Sequence, residues 1–262
     1  MSAEGVLWPT GQAAREGAAA ALDDSHSAVR ALFTLARNLM SHSGQADSAA
    51  RALGNRHLVR LTIAAPPTTV SDVIAPFVAF AGEGGFVSNI REALPHRIYE
   101  ELTHNRADIV VGSSPPPAQV AHLVVGHAPI WAQVPPDHKL AKRKSVGLKD
   151  LSLYAIAIVD DNHNVRRNFD SAMTQAGLAG NTAFETQSSH ASQSLAASHR
   201  AICISSDDSR YGLVSLPIKI ASSTYPLSIT LYAAWDSMHY ASAKIRQTVE
   251  ELRVFFSKRE MD

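Results

Sequence analysis

The sequence has only one cysteine and no excess of either charge. A lone Cys203, set in an apolar stretch, excludes an internal disulfide and is typical of an inert core thiol in a reducing compartment. Lys plus Arg and Asp plus Glu both number 24, so the formal net charge is zero. No overall field would therefore draw the chain to nucleic acid or to an anionic membrane.

Long apolar runs are also missing. No run approaches the roughly 20 residues that span a bilayer. The opening MSAEGVLWPTGQ lacks the basic segment and apolar core of a secretory signal. Because 45% of the residues are hydrophobic, the chain can still bury a proper core. These features predict a globular, cytoplasmic protein without a membrane partner.

The common motifs of enzymes and metal sites do not occur. There is no G-x-S-x-G, no H-E-x-x-H and no cysteine pair. Histidine pairs such as His122 and His127 lack metal-ligand spacing backed by carboxylates. The imidazole of His163 beside Asp160 and Asp161 could act in acid–base chemistry, but an ordinary polar loop explains it equally well. We expect no enzyme activity, no metal and no cofactor.

What the sequence does contain, from residue 58 onward, is an alternation of strands and helices. This alternation predicts parallel βα units and an α/β fold with helices on both sheet faces. The predicted strands are 58–65, 87–92, 107–112, 122–134, 153–159, 184–187, 200–205, 212–218 and 227–235. The predicted helices are 70–80, 96–106, 164–177, 190–198 and 242–258, with Gly177 closing the third as a C-cap glycine.

Before this region, residues 10–42 read as one helix of about 45–50 Å at roughly 1.5 Å per residue. Apolar side chains recur along it at helical spacing, which places them on one stripe. This stripe consists of Val29, Leu32, Phe33, Ala36, Leu39 and Met40. Pairing with a second chain and packing on its own chain are both open; the length favours pairing. Residues 41–55 form a polar connector.

Five segments in a fixed order resemble one family. They are LTIAAPPTTVSDVIAPFVAF, ELTHNRADIVVG, PIWAQVPPDHKLAKRKSVGLKDL, NVRRNFDSAMTQAG and FETQSSHASQSLAAS. Together they resemble the effector-binding domain of LysR-type transcriptional regulators, over about residues 58–256. Upstream, LWPTGQAA resembles the stretch where the family's winged helix-turn-helix ends and its linker helix begins. The roughly sixty residues of the helix-turn-helix itself are missing, which we interpret as a truncation; a natural chain without this domain is the alternative interpretation.

The resemblance implies a fold, a domain plan and partners. The expected fold is two Rossmann-like lobes, of the type II periplasmic-binding-protein kind, with a cleft between them and a long linker helix in front. Residues 1–9 would be a remnant of the wing, 10–55 the linker and connector, 56–134 with 213–262 lobe I, and 135–212 lobe II. The implied partners are a small-molecule effector, further copies forming a homodimer or homotetramer, and operator DNA through the missing domain only.

The cleft is expected where loops follow strands at their carboxyl ends. Hydroxyls and free N–H groups there could hold a small ligand, a carboxylate among the candidates. Some family members carry Arg where Ser113 stands, so bidentate carboxylate capture at that point is not expected. The candidate effector-binding residues are Pro67, Thr68, Thr69, Ser113, Ser114, Asn162, His163, Asn164, Gln187, Ser188 and Ser189. For each loop, a plain structural cap is the competing interpretation.

Three other features are interpreted as structural. The basic run 139–144 is predicted to be a solvated turn between the lobes and not a nucleic-acid contact, because the chain is neutral and few aromatics interleave with it. Arg166 and Arg167 are expected on a helix face or in an ion pair. Within the stretch 197–208, Ser198, His199 and Arg200 replace a glycine turn of the family and are expected to narrow the cleft or to change its polarity. A solute-binding protein of the same fold is the alternative function.

Overall fold

A computed structural model describes residues 60–81, 86–221 and 223–259, together with Val29 and Leu32. The chain divides into two compact units, residues 1–55 and 56–262. In the first unit Val29 and Leu32 are helical and exposed. The rest of the predicted linker helix, with Phe33, Ala36, Leu39 and Met40, lies outside the described residues.

The first sheet has five strands in the order β2-β1-β3-β11-β4. Its strands are β1 (Leu61–Ala65), β2 (Val87–Glu92), β3 (Ile109–Gly112), β4 (Ala121–Pro129) and β11 (Ser228–Trp235). β1 runs parallel to β2 and β3, whereas β11 is antiparallel to β3 and β4. Because β3 is covered on both faces, its four residues are all buried, as expected for a central strand read from a continuous apolar run.

The second sheet has six strands in the order β6-β10-β5-β9-β7-β8. These are β5 (Trp131–Val134), β6 (Val146–Gly147), β7 (Ile156–Val159), β8 (Thr182–Thr186), β9 (Ile202–Ser205) and β10 (Val214–Lys219). β7 is parallel to both β8 and β9, and β5 is antiparallel to β9 and β10. The predicted mixed α/β fold with two sheets is confirmed.

The chain crosses between the sheets at two points. Ile130 separates β4 from β5, and its N–H donates to the carbonyl of Leu227 at 2.7 Å, where the chain returns. The predicted single strand 122–134 is therefore two strands in different sheets. β5 and β10 lie in the second sheet, although our division gave 131–134 and 214–219 to lobe I. Apolar periodicity locates a strand but does not identify its partner, so the pairing was not readable from sequence.

The helices are α1 (Pro67–Thr69), α2 (Ala75–Ala81), α3 (Glu100–Thr103), α4 (Leu148–Leu151), α5 (Asn164–Gln175), α6 (Ser189–Ala197) and α7 (Ser242–Arg259). A π-helical segment, Val70–Ile74, joins α1 to α2. Gly177 follows α5 with φ of 66°, and the N–H of Leu178 donates to the carbonyl of Met173, which confirms the predicted glycine cap. The predicted helix 96–106 is instead a 3₁₀ turn (Pro95–Arg97) followed by the short α3.

One apolar cluster joins both sheets with α2, α5 and α7. Phe169 of α5 is 1% exposed, and burying such a side chain contributes about 1.5–3 kcal/mol. On α7 the buried residues include Ile245, Val249, Leu252 and Phe256, at the helical spacing that the amphipathic pattern predicts. The basic run 139–144 forms turns whose Lys and Arg side chains are exposed, anchored by the buried Leu140.

Candidate functional site

A cavity of about 140 Å³ lies where strands of the two sheets end. We call it the central cavity. Nine of the predicted effector-binding residues line it: Pro67, Thr68, Thr69, Ser113, His163, Asn164, Gln187, Ser188 and Ser189. They follow β1, β3, β7 and β8, whose carboxyl ends lie towards the same space. Apolar side chains of Val159, Val165, Ile229 and Leu231 complete the wall.

The wall after β1 is built by a proline-started helix. Pro66 is extended with ψ of 152°, and Pro67 occupies the first helical position, where the missing N–H costs nothing. No side chain caps this helix start. The hydroxyls of Thr68 and Thr69 are therefore not used as caps here, which was the competing interpretation of this loop.

The wall after β3 is tied to the second sheet through Asn164. Its Nδ2 donates to the Oγ atoms of Ser113 at 3.0 Å and Ser114 at 3.2 Å. Its Oδ1 accepts from Nη2 of Arg167 at 2.6 Å. The Tyr99 hydroxyl fixes the loop by donating to the Ser114 carbonyl at 2.5 Å. Ser114 thus lies behind the cavity wall, and the amide of Asn164 is occupied in joining the two sheets.

The loop after β7 is organised by Asp160. Its Oδ1 is 2.8 Å from Nδ1 of His163, and the side chain of Asn162 donates to Oδ2 at 3.3 Å. Burial alone would raise the pKa of Asp160, but the bonds from His163 and Asn162 hold that pKa below its ordinary value. Asn162 is exposed and does not line the central cavity. The arrangement is that of a structured polar loop, the alternative to an acid–base pair.

Sequence reasoning missed the segment after β9. Ser205, the last residue of β9, and the following Ser206 and Asp207 also line the cavity, as does His190 of α6. A signal for them existed: β9 is parallel to β7, so SSDD follows a strand whose carboxyl end lies at the same edge as the predicted loops. We expected this stretch to narrow the cleft and assigned it no ligand-binding residue.

Asp207 is the buried carboxylate of the cavity. Asp207 is only 7% exposed. Among the described residues, Oδ2 of its side chain has no hydrogen-bond partner. Burial raises its pKa above the ordinary value, and the nearby carboxylate of Asp72 raises it further. The hydroxyls of Ser189, Ser205 and Thr68 counter this shift only in part.

The backbone around Asp207 is held firmly. Its carbonyl accepts from Nε2 of Gln133 at 2.8 Å, and its N–H donates to Oγ of Ser205 at 3.1 Å. The next carbonyl, of Asp208, accepts from Nε2 of Gln193 at 3.0 Å. Gln133 of β5 and Gln193 of α6 are fully buried, so this segment is held by side chains from the interior.

A second link between the sheets lies beside the cavity, and we call it the cross-sheet latch. Asp72, in the helical segment after β1, accepts from Nη2 of Arg210 at 2.9 Å and from the N–H of Asp208 at 3.1 Å. Nε of Arg210 donates to Nε2 of the cavity residue His190 at 2.9 Å, so that imidazole nitrogen is an acceptor. The latch therefore touches the cavity wall directly.

A larger, open groove of about 1000 Å³ runs along the strand crossing. Among its walls are His127, Trp131, Tyr225, Phe256 and Arg259. None of the predicted effector-binding residues lines it. The central cavity is the better candidate site, because the loops that follow the parallel strands β1, β7 and β8 meet there and the described walls of the groove have no such convergence.

The model of the LysR substrate binding domain matches residues 55–256. The chain belongs to this family. HinK, a LysR family transcriptional regulator from Pseudomonas aeruginosa, is similar at 20% identity, with 78% of this chain and 74% of that chain covered and a TM-score of 0.64. The predicted resemblance is thereby confirmed, together with the fold of LysR substrate-binding domains, which is the type II periplasmic-binding-protein fold.

Two similar structures carry small molecules. The QuiR effector-binding domain with shikimate is 16% identical, with 78% of this chain and 99% of that chain covered and a TM-score of 0.62. The CcmR regulatory domain from Synechocystis with 2-PG is 19% identical, with 75% and 96% covered and a TM-score of 0.60. At these identities the likeness shows the shared fold. No curated protein matches the sequence.

The described part of the chain has neither a metal-ligand cluster nor a membrane-spanning helix. Within 60–81, 86–221 and 223–259, no group of three or more His, Cys, Asp or Glu residues could hold a metal ion. Across those described residues, no helix combines the length and apolarity needed to span a bilayer.

Proposed function

We propose that this LysR substrate-binding domain senses a small metabolite in the central cavity and that the bound state controls transcription. The observation that carries the proposal is the convergence of polar side chains from both sheets on one cavity. The complexes of QuiR with shikimate and CcmR with 2-PG support it, because those domains share the fold. A sensing role in the cytoplasm, without catalysis, is part of the proposal.

The size of the cavity favours a compact effector. Its volume of about 140 Å³ is below the roughly 300–1,000 Å³ of typical ligand pockets. A ligand filling it would contact Thr68 and Thr69 on one side and Gln187 and Ser189 on the other. Such a ligand stabilises the arrangement in which both sides are close together, and a population shift of this kind is what a sensor transmits.

Two polar contacts already join the two sheets, and the effector would strengthen the closed arrangement in which they form. Asn164 bonds Ser113 across the cavity, and Asp72 bonds Arg210 beside it. Both are polar contacts at the surface of the gap and are exchangeable with water, so each is weak enough to open. We propose that ligand binding adds to these contacts and shifts the two lobes towards the closed arrangement.

Self-association is a second part of the proposal. Val29 and Leu32 are exposed apolar residues at i, i+3 spacing, at 55% and 69%. We propose that the stripe they belong to pairs subunits into a dimer or tetramer, and that a winged helix-turn-helix outside this sequence contacts operator DNA. Light scattering after gel filtration should give a multiple of 28.1 kDa for the wild type and a smaller mass for Leu32→Glu. A monomeric wild type would contradict this part.

Thermal-shift screening of small metabolites tests the effector site. A ligand present at 100 times its Kd stabilises the folded state by about 2.7 kcal/mol. Thr68→Ala and Gln187→Ala should reduce that shift, whereas Gln175→Ala, an exposed residue at the end of α5, should leave it unchanged. An unchanged shift in both cavity variants would place the ligand elsewhere and contradict the assignment.

A further inference from the structure

Among the described residues, four buried side-chain oxygens have no hydrogen-bond partner, and two of them lie in the wall of the central cavity. They are Oδ2 of Asp207 and Oγ of Ser189, in residues that are 7% and 6% exposed. The Ser189 hydroxyl lies close enough to the carboxylate to lower the pKa of Asp207, but neither oxygen makes a well-formed hydrogen bond within the described residues. Buried polar groups in folded proteins are almost always hydrogen-bonded, because an unpaired one loses its water without compensation. Unlike Oε1 of Gln133 and Oε1 of Gln193, these two oxygens line a cavity, so a group from outside the chain can reach them.

The position of the Asp207 carboxylate does not depend on its charge. Bonds from Gln133 to the Asp207 carbonyl and from the Asp207 N–H to Ser205 hold the backbone on both sides. The side chain is thus placed at the cavity by the second sheet itself. A preorganised acceptor of this kind loses little conformational entropy when a ligand binds.

No positive side chain neutralises this carboxylate. Among the described residues that line the cavity there is no Lys or Arg. The two histidines there are already engaged, His163 with Asp160 and His190 with Arg210. The nearest other acid, Asp72, adds negative charge on this side and is itself bonded to Arg210. The local field therefore favours a cation.

We propose that the effector carries a protonated amino group, bound by Oδ2 of Asp207 and Oγ of Ser189. This rests on the proposed function and names the class of ligand: a compact amine, with a free amino acid as the best-fitting kind. An ammonium group offers three N–H donors and no acceptor, which suits two unpartnered oxygens. The hydroxyls of Thr68 and Thr69 and the amide of Gln187 remain for the rest of the molecule.

The test compares matched probes on the full chain. Thermal-shift and calorimetric titrations would use the twenty amino acids and small primary amines beside their deaminated counterparts, such as L-alanine with propionate and γ-aminobutyrate with butyrate. At least one amine should raise the Tm while its deaminated partner does not. Asp207→Asn should weaken that amine on the order of 10- to 100-fold, since a charge-assisted bond is lost.

The control and the second variant keep the outcomes distinct. Asp137→Asn, at a side chain 74% exposed, should leave the affinity for the amine unchanged. Ser189→Ala removes the second acceptor and should weaken the same amine even if Asp207→Asn folds poorly. Binding of propionate or butyrate that Asp207→Asn does not change would overturn this inference and leave the proposed function standing. Stabilisation by no probe of either class would overturn both.

Discussion

Two buried carboxylates in this molecule have opposite surroundings. Glu101 of α3 is 8% exposed and accepts from Nη2 of Arg106 at 2.6 Å, with Arg91 at 3.5 Å. The hydrogen bond from Arg106 is the main reason that its pKa lies below the ordinary value. Asp207 is as buried, yet Oδ2 has no partner, and burial raises its pKa.

We interpret Glu101 as a carboxylate that stabilises the fold and Asp207 as a carboxylate that binds a ligand. Glu101 lies in α3 and does not line the cavity, and its carboxylate is paired with Arg106 of the same chain. Asp207 lies at the carboxyl end of a parallel strand, where ligands bind in open α/β sheets. Ionisable groups with perturbed pKa values in clefts are functional candidates for this physical reason. If this interpretation is right, neutralising Glu101 lowers the free energy of unfolding, whereas neutralising Asp207 raises it.

The largest effect is expected at Glu101. Glu101→Ala should lower the free energy of unfolding by about 2 kcal/mol, because charge-assisted hydrogen bonds to Arg106 are lost from a buried site. Urea denaturation measures the change. The neighbouring Glu100→Ala, which breaks only an exposed pair with Arg97, should have little effect. Equal losses in the two variants would mean that burial does not decide the strength of these pairs.

A third carboxylate, Asp72, should be intermediate. It bonds Arg210 and the N–H of Asp208, so it has partners, but they belong to the other sheet. Asp72→Ala should cost about 1.5 kcal/mol. It should also speed amide hydrogen exchange in residues 206–210, because the variant lacks the hydrogen bonds from Asp208 and Arg210 to Asp72. Asp137→Ala on the surface is the control. Unchanged exchange would show that the latch does not hold this segment.

Acidification should distinguish the paired from the unpaired carboxylate. The folded pKa of Glu101 is lowered from 4.5, so its contribution is present above that value and lost as pH falls through the folded pKa. The folded pKa of Asp207 is raised from 3.8, so the native state binds more protons and stability is lost as pH rises through that window.

Unfolding free energies of Glu101→Gln and Asp207→Asn, measured against wild type from pH 3 to 7, check these signs. At neutral pH, Glu101→Gln should be less stable than wild type and Asp207→Asn more stable. Both differences should become smaller as the pH falls, because the two carboxylates of the wild type are then protonated. Differences of the same sign at neutral pH would contradict the assignment of the two roles.

Much of this arrangement was predictable from the sequence. Strands after residue 58, the glycine cap at Gly177 and the loops that line the cavity follow from periodicity and from the strand-end rule, which works on local sequence. The pairing of Asn164 with Ser113 and the place of β10 in the second sheet did not follow, because they join residues far apart in the chain. The role of Asp207 did not follow from the sequence either. Its position after β9 was visible, but its burial depends on a hydrogen bond to its carbonyl from Gln133, which lies in another strand.

The smallest change in free energy is also the most direct test of the account. Asp207→Asn keeps the shape of the side chain and removes a buried carboxylate whose Oδ2 has no hydrogen-bond partner among the described residues. In ligand-free protein near pH 7, chemical denaturation should show it to be more stable than wild type by about 1 kcal/mol. If Asp207→Asn is instead destabilised, as Glu101→Ala is expected to be, Asp207 supports the fold and the cavity is not held ready for a cationic ligand.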